Sequence, residues 1–226
     1  MHKKTWIILF LLALAVEITG VQLDNRPLQY VGKPLLMIIL IAYFISQTKI
    51  WLDANKKWVI LSLLFAWAGD LILLFQDKKE IFFMLGLVAF LIAHIFYIIF
   101  FNRLMIRESI SGRGLLLLPI VTYYAVLMAL LNPTLGSMRL PVRIYGIVIS
   151  FMFLLVLHLM YGKYKIPARW MIGGAFLFLV SDSILAINKF YQSFETAGVI
   201  IILTYGLAQL FITEGAIQYI RSAKPI

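Results

Sequence analysis

Eight apolar runs leave this chain little to be except a bundle of membrane-crossing helices. They span Trp6–Gly20, Pro34–Ser46, Trp58–Phe75, Ile81–Phe101, Leu115–Leu131, Pro141–Tyr161, Trp170–Ile187 and Gly198–Ile220. A helix needs about 20 apolar residues to cross the hydrocarbon core, with roughly 17–25 tolerated. In lipid every backbone polar group must be satisfied within the fold, which makes each run a predicted helix. The second run is short and is expected to extend through Thr48 or to start in the preceding loop. No connection is long enough for a soluble domain, so residues 1–226 read as a single transmembrane domain. A hydrophobic fraction of 63% against 13% charged residues excludes an ordinary soluble enzyme. The expected class is all-α, a polytopic membrane protein with eight transmembrane helices.

Lys3 and Lys4 ahead of the first run imitate a signal peptide. No small-x-small cleavage site follows, and Glu17 interrupts the run, so the segment is expected to stay as a helix. The chain has no cysteine, which removes disulfides and thiol catalysis. Its net charge of +10 could point to nucleic acid, but the basic residues lie in short connections, where they set orientation instead. With eight spans, thirteen of them fall on one side, Lys3, Lys49, Arg107, Lys163 and Lys224 included. Seven fall on the other: Arg26, Lys33, Lys78, Lys79, Arg139, Arg143 and Lys189. The excess predicts both termini in the cytoplasm, in what is expected to be a bacterial cytoplasmic membrane. Membrane lipids, and no nucleic acid, are the expected partners.

Two charges stand where none should. Asp70 lies in LSLLFAWAGDLILLF and Asp182 in AFLFLVSDSILAI. A carboxylate on a membrane helix costs several kcal/mol unless it faces a partner or a wet cavity. An offset of 112 residues superposes the two, and also aligns Trp58 with Trp170, Ile72 with Ile184, Leu73 with Leu185 and Gly86 with Gly198. The chain therefore reads as two parallel four-helix repeats, roughly 1–108 and 109–226, related by an axis along the membrane normal. Asp70 precedes the end of its run by five residues, as does Asp182. At 1.5 Å per residue, each carboxyl group is expected roughly 8 Å inside the outer end of its helix. Matching depth on equivalent helices is what a facing pair requires.

Other polar residues fall near that depth: Glu17, Lys33, Arg143, Tyr145, Asn188 and Tyr205 are candidates to line one pocket with the aspartates. Lys33 and Arg143 near helix ends also fit snorkelling to headgroups, and Tyr145 fits an aromatic belt. His94 and His158 lie toward the opposite side, about 10 Å from the aspartates by helical rise. A zinc site needs three or four converging ligands, and the chain offers no such set, so neither metal nor cofactor is expected. His94 reads as a helix-packing residue, with Tyr97 and Gln209, an equivalent pair under the repeat, forming a polar strip beside it. Glu214 is expected to cap a helix or pair with a nearby cation. Nucleophile elbows, phosphate-binding loops and dinucleotide turns are all missing.

Six segments in order resemble a known family: KPLL (Lys33–Leu36), AGDLILLF (Ala68–Phe75), FFMLGLVAFLIAHIFYIIF (Phe82–Phe100), PVRIYGIVISFM (Pro141–Met152), GGAFLFLVSDSILAINKF (Gly173–Phe190) and TYGLAQLFITEG (Thr204–Gly215). They are similar to the YhhN family of membrane proteins, which includes the lysoplasmalogenases. The resemblance implies hydrolysis of the vinyl ether bond of a lysoplasmalogen, giving a fatty aldehyde and a glycerophospho-alcohol. It places the family's acidic motif positions at Asp70 and Asp182.

Vinyl ether hydrolysis begins with protonation of the alkene carbon and passes through an oxocarbenium ion that water captures. It calls for one carboxylic acid and one carboxylate, the division of labour used by paired-carboxylate glycosidases. Asp70 and Asp182 are the expected catalytic pair, and Lys33 and Arg143 the expected phosphate ligands. A proton-coupled carrier is the rival reading, since parallel repeats around intramembrane acids also suit transport. A zinc-dependent lipid hydrolase is disfavoured by the missing histidines.

Overall fold

In the computed structural model, residues 2–223 are described. They form eight α-helices: α1 (Lys3–Gln22), α2 (Arg26–Thr48), α3 (Lys56–Leu73), α4 (Glu80–Arg107), α5 (Leu117–Leu131), α6 (Arg139–His158), α7 (Lys165–Phe190) and α8 (Ala197–Ser222). Single 3₁₀ turns precede α5, precede α6 and follow α6. Lys224, counted above on the cytoplasmic side, lies outside the described residues. Seven of the helical segments are long and apolar enough to cross a membrane. The remaining helix, α3, carries Lys56, Lys57 and Asp70 within its 18 residues. Large apolar side chains such as Leu12, Val31, Val121 and Ile147 are more than half exposed. In water such a surface would aggregate; in a bilayer it is the lipid-facing surface.

The second helix begins earlier than its apolar run. Asn25 caps it, its Oδ1 accepting the Leu28 backbone N–H at 3.2 Å, and Pro27 occupies the first turn. Proline is favoured there because the missing N–H would have had no helical partner anyway. The helix then runs through Pro34, which places Lys33 two turns inside α2 rather than at its start. Only three residues join α1 to α2, with Asp24 in the left-handed region at φ 46°. The tight hairpin packs Glu17 directly on Gly32. A Cβ at Gly32 would approach Glu17 Oε2 to 2.8 Å, so the missing side chain is what lets the helices close at this depth.

Helix α8 is central. It packs on α7 along its length and also meets α1, α2 and α3. Against α7 the crossing is close at Gly174, where a Cβ would stand 2.7 Å from the Ala208 carbonyl oxygen. Such small-residue contacts drive association in lipid, where burying apolar surface against another helix gains little over burying it in acyl chains. The pairing is consistent with the two-repeat arrangement: α3 packs on α4 as α7 does on α8, α2 on α3 as α6 on α7, and α8 on α2 as α4 on α6. The first helix of each half departs from it. Helix α1 packs on α2 and α8, whereas α5 rests on the outside of α6 and α7 with few buried residues.

Candidate active site

One cavity of about 300 Å³ opens at the end of the bundle that carries the α1–α2 and α3–α4 connections. Seven helices contribute to its wall, and α5 is the one left out. The lining includes Asp70 and Asp182, together with Glu17, Lys33, Tyr145, Asn188 and Tyr205. Apolar side chains complete it, with Leu73, Phe83, Leu87 and Phe90 on one side and Leu185, Ile201 and Ile202 on the other. Neither aspartate keeps the expected five-residue distance from its helix end. Asp70 lies three residues before the end of α3 and Asp182 eight before the end of α7, because α7 runs on to Phe190. Both nevertheless reach the same space.

Each carboxyl group holds a tyrosine. The Tyr205 hydroxyl of α8 donates to Asp70 Oδ2 at 2.7 Å, and the Tyr145 hydroxyl of α6 donates to Asp182 Oδ2. The Oδ1 atoms make no hydrogen bond among the described residues, leaving one oxygen of each pair for whatever enters. Asp70 is 1% exposed and feels the charges of both Lys33 and Glu17. Asp182 is partly exposed, and its neighbours are the hydroxyl groups of Tyr145 and, further off, Tyr123. Glu17 is 1% exposed, and its Oε2 has no hydrogen-bond partner among the described residues, with Lys33 as its nearby cation.

The remaining candidates separate. Arg143 is exposed and does not line the cavity; its Nε donates to Asn132 Oδ1 at 2.9 Å. Asn188 lines the cavity, but its Oδ1 accepts the Phe194 backbone N–H at 3.1 Å and so also holds the α7–α8 turn. Tyr97 donates to Gln209 Oε1 at 2.7 Å, one helical turn along α8 from Tyr205. His94 is fully buried with both ring nitrogens unpartnered among the described residues, its ring centroid 5.4 Å from that of Tyr145 and 4.6 Å from that of Phe178. It therefore packs directly beneath the Tyr145–Asp182 pair. His158 is elsewhere, its Nε2 accepting the Arg113 backbone N–H at 2.9 Å. Glu214 pairs with Lys3 and accepts from Tyr43 at 2.6 Å, tying α1 and α2 to α8. No group of three or more His, Asp or Glu residues that could hold a metal ion occurs among the described residues.

Several lining residues escaped the sequence reading: Asp24, Arg26, Gln29, Gln76, Asp77 and Ser181. Arg26 was within reach of it. Asn25 before Arg26-Pro27 is a helix-start signature, and extending α2 back to it brings Arg26 into the first turn of the helix that carries Lys33.

The model of the YhhN family matches residues 28–216. The chain is 30% identical over 190 residues to "Lysoplasmalogenase TMEM86B" of Rattus norvegicus, covering 82% of this chain and 71% of the relative. To "Lysoplasmalogenase" of Mycobacterium tuberculosis it is 28% identical over 202 residues, 88% of this chain and 72% of the relative. The human TMEM86B lysoplasmalogenase is 35% identical over 136 residues, 59% of this chain and 53% of that protein. No solved structure matches. The chain belongs to the YhhN family and is an integral membrane, lysoplasmalogenase-like hydrolase.

Proposed function

We propose that the protein hydrolyses the vinyl ether bond of lysoplasmalogens and that Asp70 and Asp182 are its acid–base pair. The observation that carries this reading is the cavity that both carboxyl groups line, each with Oδ2 taken by a tyrosine and Oδ1 without a hydrogen bond among the described residues. The relatives named above supply the substrate class. The cavity lies at the small end of the range for small-molecule sites, so it suits the glycerol and the vinyl ether. The rest of the hydrocarbon chain then continues past the apolar wall into lipid.

We assign Asp70, the aspartate that feels the Lys33 charge, as the carboxylate, and Asp182, whose hydrogen-bond partner among the described residues is Tyr145, as the acid. Asp182 delivers its proton to the alkene carbon, and the ether oxygen's electrons complete an oxocarbenium ion. The Asp70 carboxylate stabilises that cation and takes a proton from the water that adds to it, giving a hemiacetal. Collapse returns the hemiacetal hydroxyl proton to Asp182, while the proton on Asp70 passes to the departing glycerol oxygen. The carbon–oxygen bond breaks, aldehyde and alcohol leave, and both aspartates are back in their starting states. The two tyrosines hold the carboxyl groups, and Lys33, which lines the same cavity, meets the phosphate of the headgroup in this reading. The excess of basic residues on one face supports both termini in the cytoplasm of a bacterial cell.

Purified protein should release fatty aldehyde from a 1-alkenyl lysophospholipid and no fatty acid from its 1-acyl counterpart, with or without chelator. Fatty acid release, or loss of activity with chelator, would overturn the reading, and absence of turnover on either lipid would favour a carrier.

A further inference from the structure

Two cations and five carboxyl groups line the cavity: Arg26 and Lys33 against Glu17, Asp24, Asp70, Asp77 and Asp182. Carboxyl groups outnumber cations at this mouth, and one of the two cations is already engaged. Arg26 is paired with Asp77 of the α3–α4 connection, and its Nε lies 4.0 Å from Asp24. The Arg26 and Asp77 side chains are 45% and 60% exposed. A pair so open to solvent is weak, so a ligand that offers both partners a replacement exchanges with it at little cost.

The segment that carries Asp77 is a strap across the mouth. Helix α3 stops at Leu73, and Phe75 then packs between Tyr30 of α2 and Phe82 of α4, each ring pair 6.0 Å apart. Lys78 Nζ lies 4.8 Å from the same ring. Gln76 and Asp77 are thereby turned toward the cavity, which both line.

Resting on the lysophospholipid reading above, we propose that Arg26 and Asp77 select the headgroup by exchanging their mutual ion pair for the two charges of a zwitterion. Arg26 joins Lys33 on the phosphate, and Asp77, released, takes the headgroup ammonium. The exchange is neutral: one internal pair becomes two pairs with a ligand of no net charge. An anionic headgroup, such as phosphoglycerol, satisfies Arg26 but strands Asp77 beside further carboxyl groups.

Three 1-alkenyl substrates test the exchange, bearing phosphoethanolamine, phosphoglycerol or no headgroup. Binding of the 1-O-alkyl lysophosphocholine, which has no vinyl ether, is measured alongside by calorimetry. Arg26→Gln should lower the preference for phosphoethanolamine over the headgroup-free substrate about tenfold and raise the analogue's Kd by a similar factor, as loss of one charge-assisted contact implies. Arg26→Lys should recover part of both. Asp77→Asn should shift the kcat/KM ratio of phosphoethanolamine to phosphoglycerol about threefold toward the anionic lipid, the scale of one exposed ion pair. Ratios and Kd unchanged in both variants would overturn the exchange, as would failure of the wild-type protein to bind the analogue. Should Arg26→Gln fail to fold, the Asp77→Asn ratio decides. A wild-type protein that binds the analogue but releases no aldehyde would overturn the hydrolase reading alone, and the Kd comparison would still decide the exchange.

Discussion

Asp70 and Asp182 occupy equivalent places in the two halves of the chain, yet their surroundings differ in kind. Asp70 is sealed within the wall, with a lysine and a glutamate close by and a tyrosine from the neighbouring α8. Asp182 is more open, has no cation among its partners in the described residues, and is linked through Tyr145 of α6 to a buried histidine. Under the 112-residue offset Tyr145 corresponds to Lys33, so one position gives a hydroxyl to one aspartate and an ammonium to the other. The 112-residue offset relates two carboxyl groups that line one cavity. In the acid–base reading proposed above, divergence at this position is what gives the two aspartates different roles.

The comparison can be broken most severely at the aspartates themselves. Asp182→Asn and Asp70→Asn should each lower kcat about a thousandfold, within the usual range for removing an acid or base. Circular dichroism and size-exclusion behaviour in detergent should match the parent. Near-normal aldehyde release from either variant would remove that residue from the chemistry. Next come the tyrosines. Tyr145→Phe and Tyr205→Phe each delete one hydrogen bond to a carboxyl group, and kcat should fall roughly 10–100-fold. If only one of them matters, the two sides are less equivalent than their geometry suggests. Lys33→Gln should raise KM about tenfold by removing a phosphate ligand. Because the same lysine faces Asp70, kcat should fall as well, whereas a pure KM effect would separate it from that aspartate.

Packing offers a smaller contrast. Position 62 in the first half carries serine, its Oγ donating to the Ala93 carbonyl at 2.8 Å across α3 and α4. The equivalent position in the second half is Gly174, tight against the Ala208 carbonyl. Gly174→Ala should therefore destabilise the protein by about 1–3 kcal/mol, as overpacking does, read as a lower Tm in detergent. Ser62→Ala should cost less, about 1 kcal/mol for one hydrogen bond.

Much of this arrangement is legible in the sequence, for identifiable reasons. The apolar runs mark the helices because a bilayer tolerates few alternatives, and intramembrane carboxyl groups stand out because lipid makes them expensive. The start of α2 was harder to see: Arg26, Gln29 and Lys33 look like loop polarity, and only the Asn25 cap with Pro27 shows that they are helical. Arg143 and Lys33 looked alike as cations beside prolines. The structure turns Lys33 toward the cavity and leaves Arg143 on Asn132, outside it, a difference of helix face that no residue type reveals. Asp77 lies in a connection, and its meeting with Arg26 depends on how the strap folds back over α3.

Carbon protonation by an aspartate is the central claim, and isotope labelling reads it directly. Turnover of a 1-alkenyl lysophospholipid in D₂O, with immediate borohydride trapping of the aldehyde, should give an alcohol bearing one deuterium on the carbon next to the alcohol-bearing one. Asp182→Asn should yield almost none of that product. An aldehyde formed without solvent deuterium at that carbon would contradict the mechanism, whatever the effect of the mutations.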